Sequence, residues 1–515
     1  MVQALSAVGS TLAGGPLAYA QSPAAGPPVP PRFSFDDVMR RARDLAAAPF
    51  DPAAAKLPEA FDKLDYDAWR DIRFRPDRAF FANSGGPYRL QLFHLGHLYR
   101  RPVTINVIRD GIASPIPYTS NLFDYGRTKI DKPPPIGTGF AGFRLHFPLN
   151  DPHVFDEVIA FLGASYFRFL GRGQHYGVSA RGLAIGAGTP EEEFPFFREF
   201  WIETPDGTSD RATIYALLDC PSTTGAYRFD LFPGMDSTVE VRATLFPRVA
   251  NARFGFAPLT SMFFLGENDR RFNEDFRMEL HDSDGLLINN QNGEWVWRPL
   301  RNPASLASSW FSARDVRGFG LIQRDRAFVN YQDLDLAYEL RPSYFVEPHE
   351  GFADGNVELV ELPTSDETND NIVVSFVPRE PPGQGAPVNL AYRIISTLDL
   401  DRLSPNGRAI NTFQAVARAL GSREVPPPRS RRFLIDFAGG DLSYYLSDPS
   451  LVEVVPSIAN GRILASFVIA NGHTGGLRAV LDVQVNEGQT ADIRTFLRAQ
   501  GRTLTETWTF PLTIA

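Results

Sequence analysis

Short runs in which apolar and polar residues alternate recur from about Ile72 onward, each closed by turn residues, and this recurrence confines the chain to strand-rich architectures. Tyr88-Arg89-Leu90-Gln91-Leu92-Phe93 alternates, and Val103-Thr104-Ile105-Asn106-Val107 repeats the pattern. Ala212 to Leu218, Gly225 to Phe229 and Ser237 to Ala243 read as successive strands with Pro/Gly turns between them. With 42 Gly, 42 Pro and 41 Phe among 515 residues, and few stretches of helical apolar period, the fold class is mainly β. So many short strands predict a large antiparallel β-sandwich. A propeller is disfavoured, because no repeat of about 40 residues is present.

One helix is expected near the start. Ser34 caps it with Asp37 three residues on, while Phe35, Val38, Met39, Ala42, Leu45 and Ala46 share a face, and it ends before Pro49.

The chain exceeds one ordinary core and divides. Residues 33–397 are expected to form the large sandwich and 398–430 a polar connector that includes Pro426-Pro427-Pro428. Residues 431–515 carry a small second set of strands, with the spacing of an immunoglobulin-like sandwich but without its Cys–Trp–Cys signature. Residues 1–32 read as a signal-like segment and linker. The small, apolar run Leu5 to Ala18 and Ala18-Tyr19-Ala20 before Gln21 fit the end of a secretory signal. No Lys or Arg precedes Arg32, so either the start of the signal lies upstream or the export reading fails; a truncated or mis-called start, with export, is the expectation.

A formal charge of −9 with no basic stripe argues against a nucleic-acid partner, whose binding rests on clustered Lys and Arg. Cys220 is the one cysteine, which excludes an intrachain disulfide, and no Cys/His set has zinc spacing. His94 and His97 would point to opposite faces of a strand. No metal and no cofactor are therefore expected.

The stretch Val357 to Phe376 places two β-branched strands around the turn Thr364-Ser365-Asp366-Glu367-Thr368-Asn369-Asp370-Asn371, which brings three carboxylates to the rim of a sheet. A second acidic turn, Glu279-Leu280-His281-Asp282-Ser283-Asp284-Gly285, lies upstream, followed by Gly293-Glu294-Trp295-Val296-Trp297. Paired carboxylates beside aromatics suit sugar chemistry, provided one is protonated and the other ionised. Asp residues in turns also simply bond their own backbone. Trp295 and Trp297 share one strand face, which serves a core or a sugar platform. Gly171 to Gly177 reads as a plain glycine-rich loop, and Ser179 lacks a nucleophile-elbow pattern.

Beyond these patterns, the chain resembles the periplasmic glucan biosynthesis proteins of the OpgG/OpgD (MdoG) type from about Phe33 to Pro511. The resemblance is dense in Gly163 to Arg168, Tyr176 to Ile185, Glu199 to Glu203, Ala257 to Phe263, Glu279 to Ser283, Gly293 to Leu300 and Val357 to Ile372. It implies a mutarotase-like β-sandwich followed by an immunoglobulin-like domain, in the periplasm, acting on β-1,2-glucan. It further implies an anomer-inverting glycoside hydrolase, with inverting transglycosylation to cyclic glucan, or glucan binding as a non-catalytic scaffold, as the alternatives. The family's general acid falls on Asp370 and its general base on Asp282, with Tyr338 and Thr368 at relay or substrate-contact positions. In this family the acid acts through a bridging sugar hydroxyl and the base through a chain of waters. Trp201, Trp297, Tyr176, Arg181 and Glu203 are candidate sugar contacts that suit the core equally. A homodimer and a functional link to a membrane glucan synthase are compatible with the family. Departure from its pattern is greatest in the connector.

Overall fold

A computed structural model describes residues 32–514 apart from 53–56, 58, 129–137, 271–274, 400, 402, 419, 420, 422 and 424. The signal-like stretch therefore lies outside the described residues. Strand accounts for 48% of the chain and helix for 9%, as the alternating runs predict.

A ten-stranded and a fifteen-stranded sheet enclose the main core. Alternation decides which side chains enter it. In the strand Tyr166–Phe169, Phe167 and Phe169 are buried while Arg168 between them is exposed on the other face. Phe161 and Phe167 stack at 5.3 Å on the ten-stranded sheet, and Phe167 meets Phe229 of the opposite sheet at 5.2 Å. Each such ring contributes about 1.5–3 kcal/mol by leaving water. Among the described strands, pairing is antiparallel except where Phe196–Glu203 meets Thr104–Arg109 and where Trp295–Pro299 meets Thr507–Thr513; an isolated parallel bridge also joins Gly407 and Thr505.

The helix forms at Phe35–Ala46, with the Ser34 N–H donating to Asp37 Oδ2 at 2.8 Å. Val38 and Ala42 are fully buried against Trp201, Tyr215 and Phe246 on the outer face of the fifteen-stranded sheet.

The second unit differs from the sequence expectation in two ways. Its four-stranded sheet begins with Arg408–Ala415, inside the stretch read as a connector. That strand is polar on one side and buries Ala409 and Thr412 on the other, so its composition concealed it. Its other sheet is the end of the fifteen-stranded one, continuous through Val296↔Thr507 and Trp297↔Trp508. The second core accordingly mixes Phe433, Leu481 and Trp508 with Leu287, Trp297 and Phe345 of the first unit. Among the described residues no helix is long and apolar enough to cross a membrane.

Candidate active site

Both acidic turns hang from one short piece of chain, Thr260-Ser261-Met262-Phe263. Thr260 donates from Oγ1 to Asp370 Oδ2 at 2.9 Å. The Ser261 hydroxyl meets that of Ser283 at 2.6 Å, and its carbonyl accepts from the Asn371 N–H. The Met262 carbonyl accepts from the Asp282 N–H at 2.8 Å. Phe263 exchanges two hydrogen bonds with the Asn371 side chain and pairs with His281 as a strand partner. Asn371 is 3% exposed, so its amide acts as a fixed peg between the carboxylate turn and the sheet.

The two carboxylates occupy different surroundings. Asp370 is exposed at the rim, with the Arg168 guanidinium 4.0 Å away and Arg168 Nε held by Ser179 Oγ at 2.5 Å. Asp282 is 4% exposed and accepts from Arg341 Nη1. The Arg341 guanidinium carbon stands over Tyr338, 3.7 Å from the ring centroid. The Tyr338 hydroxyl donates to Glu367 Oε2 at 2.9 Å, and Arg277 pairs with the same oxygen at 2.9 Å. Asp282 is thus linked through Arg341, and by that guanidinium's contact with the Tyr338 ring, to Glu367, three residues from Asp370.

Burial pulls Arg341 down to about 10, helped by Arg168 and opposed by Glu367 and Asp370. It remains a cation at neutral pH. Burial, with the bond to Glu367, pushes the Tyr338 hydroxyl far above the usual phenol range, so its proton stays in place. Gly177 lets the glycine-rich loop close on this cluster: a Cβ there would stand 2.9 Å from Arg341 Cδ.

Residues 33–512 match the family model described as "Periplasmic glucan biosynthesis protein, MdoG". The chain is also 44% identical over 487 residues to Glucans biosynthesis protein G of Ralstonia nicotianae, covering 93% of this chain and 96% of that one. The chain belongs to the MdoG periplasmic glucan biosynthesis family. Asp370 and Asp282, the carboxylates expected as acid and base, lie on the two turns just described, and Tyr338 contacts Arg341 and Glu367. Thr368 is exposed on the Asp370 turn, where its N–H donates to Asp366 Oδ1 at 2.8 Å. That bond, with the Thr368 hydroxyl, lowers Asp366, which is a turn former.

The other sugar-contact candidates separate. Trp201 is 1% exposed, with Phe33 stacked at 5.2 Å and Arg41 5.0 Å from its ring, so no face is left for a sugar. It and Glu203, which accepts from Tyr215 at 2.7 Å, sit on the fifteen-stranded sheet, whereas Thr260 lies on the ten-stranded one and Asp370 on the turn between two of its strands. Trp297 is likewise corrected to core: it is 3% exposed, and Arg324 lies 3.5 Å from its ring centroid. Trp295 is half-buried beside Phe345, 6.0 Å away. Tyr176 is half-buried and donates to Glu157 Oε1 at 2.9 Å.

Arg181 lies on the ten-stranded sheet, 2% exposed, between Tyr166 and Phe194 and paired with Glu192 at 3.2 Å. Its Nε and Nη2 have no partner among the described residues. Neither His94, which bonds Leu95 O and Tyr118, nor any grouping of three acids, His or Cys among the described residues forms a metal site.

Sequence reasoning gave no role to Arg341, Arg168, Thr260 or Arg277, and counted Glu367 only among the three turn carboxylates. Strand alternation around Phe167 and Phe169 was signal enough for Arg168. Nothing in the sequence joins Arg341 to Asp282.

Proposed function

We propose that this protein acts on the β-1,2-glucan backbone of periplasmic glucans as an anomer-inverting glycoside hydrolase, located in the periplasm. Asp370, protonated, donates to the departing glucosyl oxygen. Asp282 accepts a proton from the water that attacks the anomeric carbon on the opposite face, so one C–O bond breaks as another forms with inversion. The observation that carries this reading is the contrast between an exposed Asp370 and a buried, arginine-held Asp282 on turns fixed to the same four residues. Arg168 beside Asp370, with its side chain 46% exposed, is suited to sugar hydroxyls.

The Arg341–Asp282 pair favours a second reading as well, because Arg341 occupies Oδ1 of the carboxylate that would have to take a proton from water. In that reading the protein binds glucan and assists backbone assembly without cleaving it.

Incubating wild type and Asp370→Asn with linear β-1,2-glucan, followed by mass spectrometry and anomeric proton NMR, separates the readings. Shorter linear products of inverted anomer, lost in the variant, are expected. Cyclic products without new reducing ends would make it a transglycosylase using the same acid. Bound but uncleaved glucan with wild type would leave the binding role.

A further inference from the structure

Behind Asp282 lies a fully buried amide, Gln323, whose contacts reach both sides of the Asp282–Arg341 pair. Its Nε2 faces the His281 carbonyl at 3.2 Å, the Tyr331 hydroxyl at 2.7 Å and the Tyr338 carbonyl at 3.4 Å. The Tyr331 hydroxyl donates its own proton to the Asp325 carbonyl at 3.1 Å, so towards Gln323 it can only accept. This fixes the amide orientation: nitrogen to the three acceptors, Oε1 to His281 Nδ1 at 2.9 Å.

His281 is fully buried, stacked on Phe263 at 5.4 Å, and its Nε2 faces Glu279 Oε2 at 2.9 Å. Both ring nitrogens therefore point at acceptors, the arrangement of an imidazolium. Arg326 adds a second tie, donating to the carbonyls of Glu339 at 2.8 Å and Arg341 at 2.9 Å.

We propose that Gln323 is a positioning residue for Asp282: by tying the His281 peptide to the Tyr338 peptide, it fixes where Arg341 meets the carboxylate. This rests on the reading of Asp282 as the base. Gln323 touches neither substrate nor reacting atoms and acts through its two neighbours. Removing it takes a donor from the His281 and Tyr338 carbonyls, leaves His281 Nδ1 without its acceptor and lets the Tyr338–Arg341 turn shift against Asp282. The groups facing His281 are Glu279 beside it, Glu267 and Asp284 from adjoining turns, and Tyr331. Burial pulls the imidazolium down, but Glu279 first, then Asp284 and Glu267, outweigh it and push it up to about 9.

The test compares wild type, Gln323→Leu, Gln323→Glu and His281→Gln, each first checked for a cooperative thermal transition, on linear β-1,2-glucan. Gln323→Leu should lower kcat by about 10–100-fold with KM unchanged, the loss that follows displacement of a reacting group. Gln323→Glu keeps the acceptor for His281 but loses both donors, and should fall as far. Independently of turnover, imidazole nitrogen shifts, assigned by their absence in His281→Gln, should show His281 doubly protonated at pH 7. Unchanged kcat per folded molecule in Gln323→Leu, recovery in Gln323→Glu, or a neutral His281 would overturn the proposal. A wild type without turnover would instead overturn the hydrolase reading and take with it the base to be positioned.

Discussion

Arg341 and Asp282 lie 59 residues apart and meet as a buried ion pair, with the arginine side chain 11% and the aspartate side chain 6% exposed. Two substitutions of the acid should then behave differently. Asp282→Ala leaves a buried guanidinium without its partner and should cost about 3–5 kcal/mol of stability. Asp282→Asn keeps an oxygen for Arg341 Nη1 and should cost less, about 1–3 kcal/mol. Both should abolish glucan cleavage. Urea unfolding beside product analysis checks this, and equal stability of the two variants would contradict the pairing.

The buried groups around His281 predict how stability depends on pH. His281 is raised from 6.5 to about 9, and Glu267, by burial and then by Glu279 and Asp284, from 4.5 to about 8. In both cases the folded state binds the proton more tightly than the unfolded chain. The stabilisation from His281 is complete below about pH 6.5 and is lost as pH rises through about 9. Glu267 acts in the same direction between about 4.5 and 8. The melting temperature should therefore fall from pH 6 to pH 9, and Glu267→Gln, which still accepts from the Thr412 N–H, should flatten that fall.

Much of this molecule was legible because alternation and turn chemistry are local. The Ser34–Asp37 cap, the strands Ala212–Asp219 and Ser237–Pro247, and the turn between Asp354–Glu361 and Ile372–Pro378 all follow from residues a few positions apart. The strand Arg408–Ala415 was missed because its outward residues are polar, and burial of Ala409 and Thr412 depends on a sheet assembled from distant segments. At the site, resemblance supplied Asp282, Asp370 and Tyr338, yet the arginines that set their electrostatics come from elsewhere in the chain. Trp201 shows the converse limit: an aromatic beside a charged residue looks the same in sequence whether a sugar or a helix covers it.

That burial gives a direct expectation for Trp201. Trp201→Ala removes the ring on which Phe33 and Arg41 rest and should destabilise the protein by about 3–5 kcal/mol. Glucan affinity of the folded fraction should be unchanged. Calorimetry paired with glucan titration tests this, and weaker binding at undiminished stability would return Trp201 to the sugar site.

The joint between the two units rests on a buried ion pair. Arg324, with its side chain 3% exposed, donates from Nη2 to Glu506 Oε2 at 2.9 Å and from Nη1 to the Ala409 carbonyl at 2.6 Å, while its guanidinium covers Trp297. Glu506 is fully buried and also accepts from the Ala409 N–H at 2.9 Å. Glu506→Ala therefore strands a cation and a backbone donor together, and should cost about 3–5 kcal/mol. The damage should concentrate where Ala409 sits, at the start of Arg408–Ala415, so amide exchange in that strand should accelerate more than in Ala212–Asp219. Arg324→Met combined with Glu506→Leu removes both charges and should recover much of the loss, because well-packed apolar groups replace a buried pair at little cost. A double variant no more stable than Glu506→Ala would mean that the backbone bonds to Ala409, rather than the charges, hold the units together.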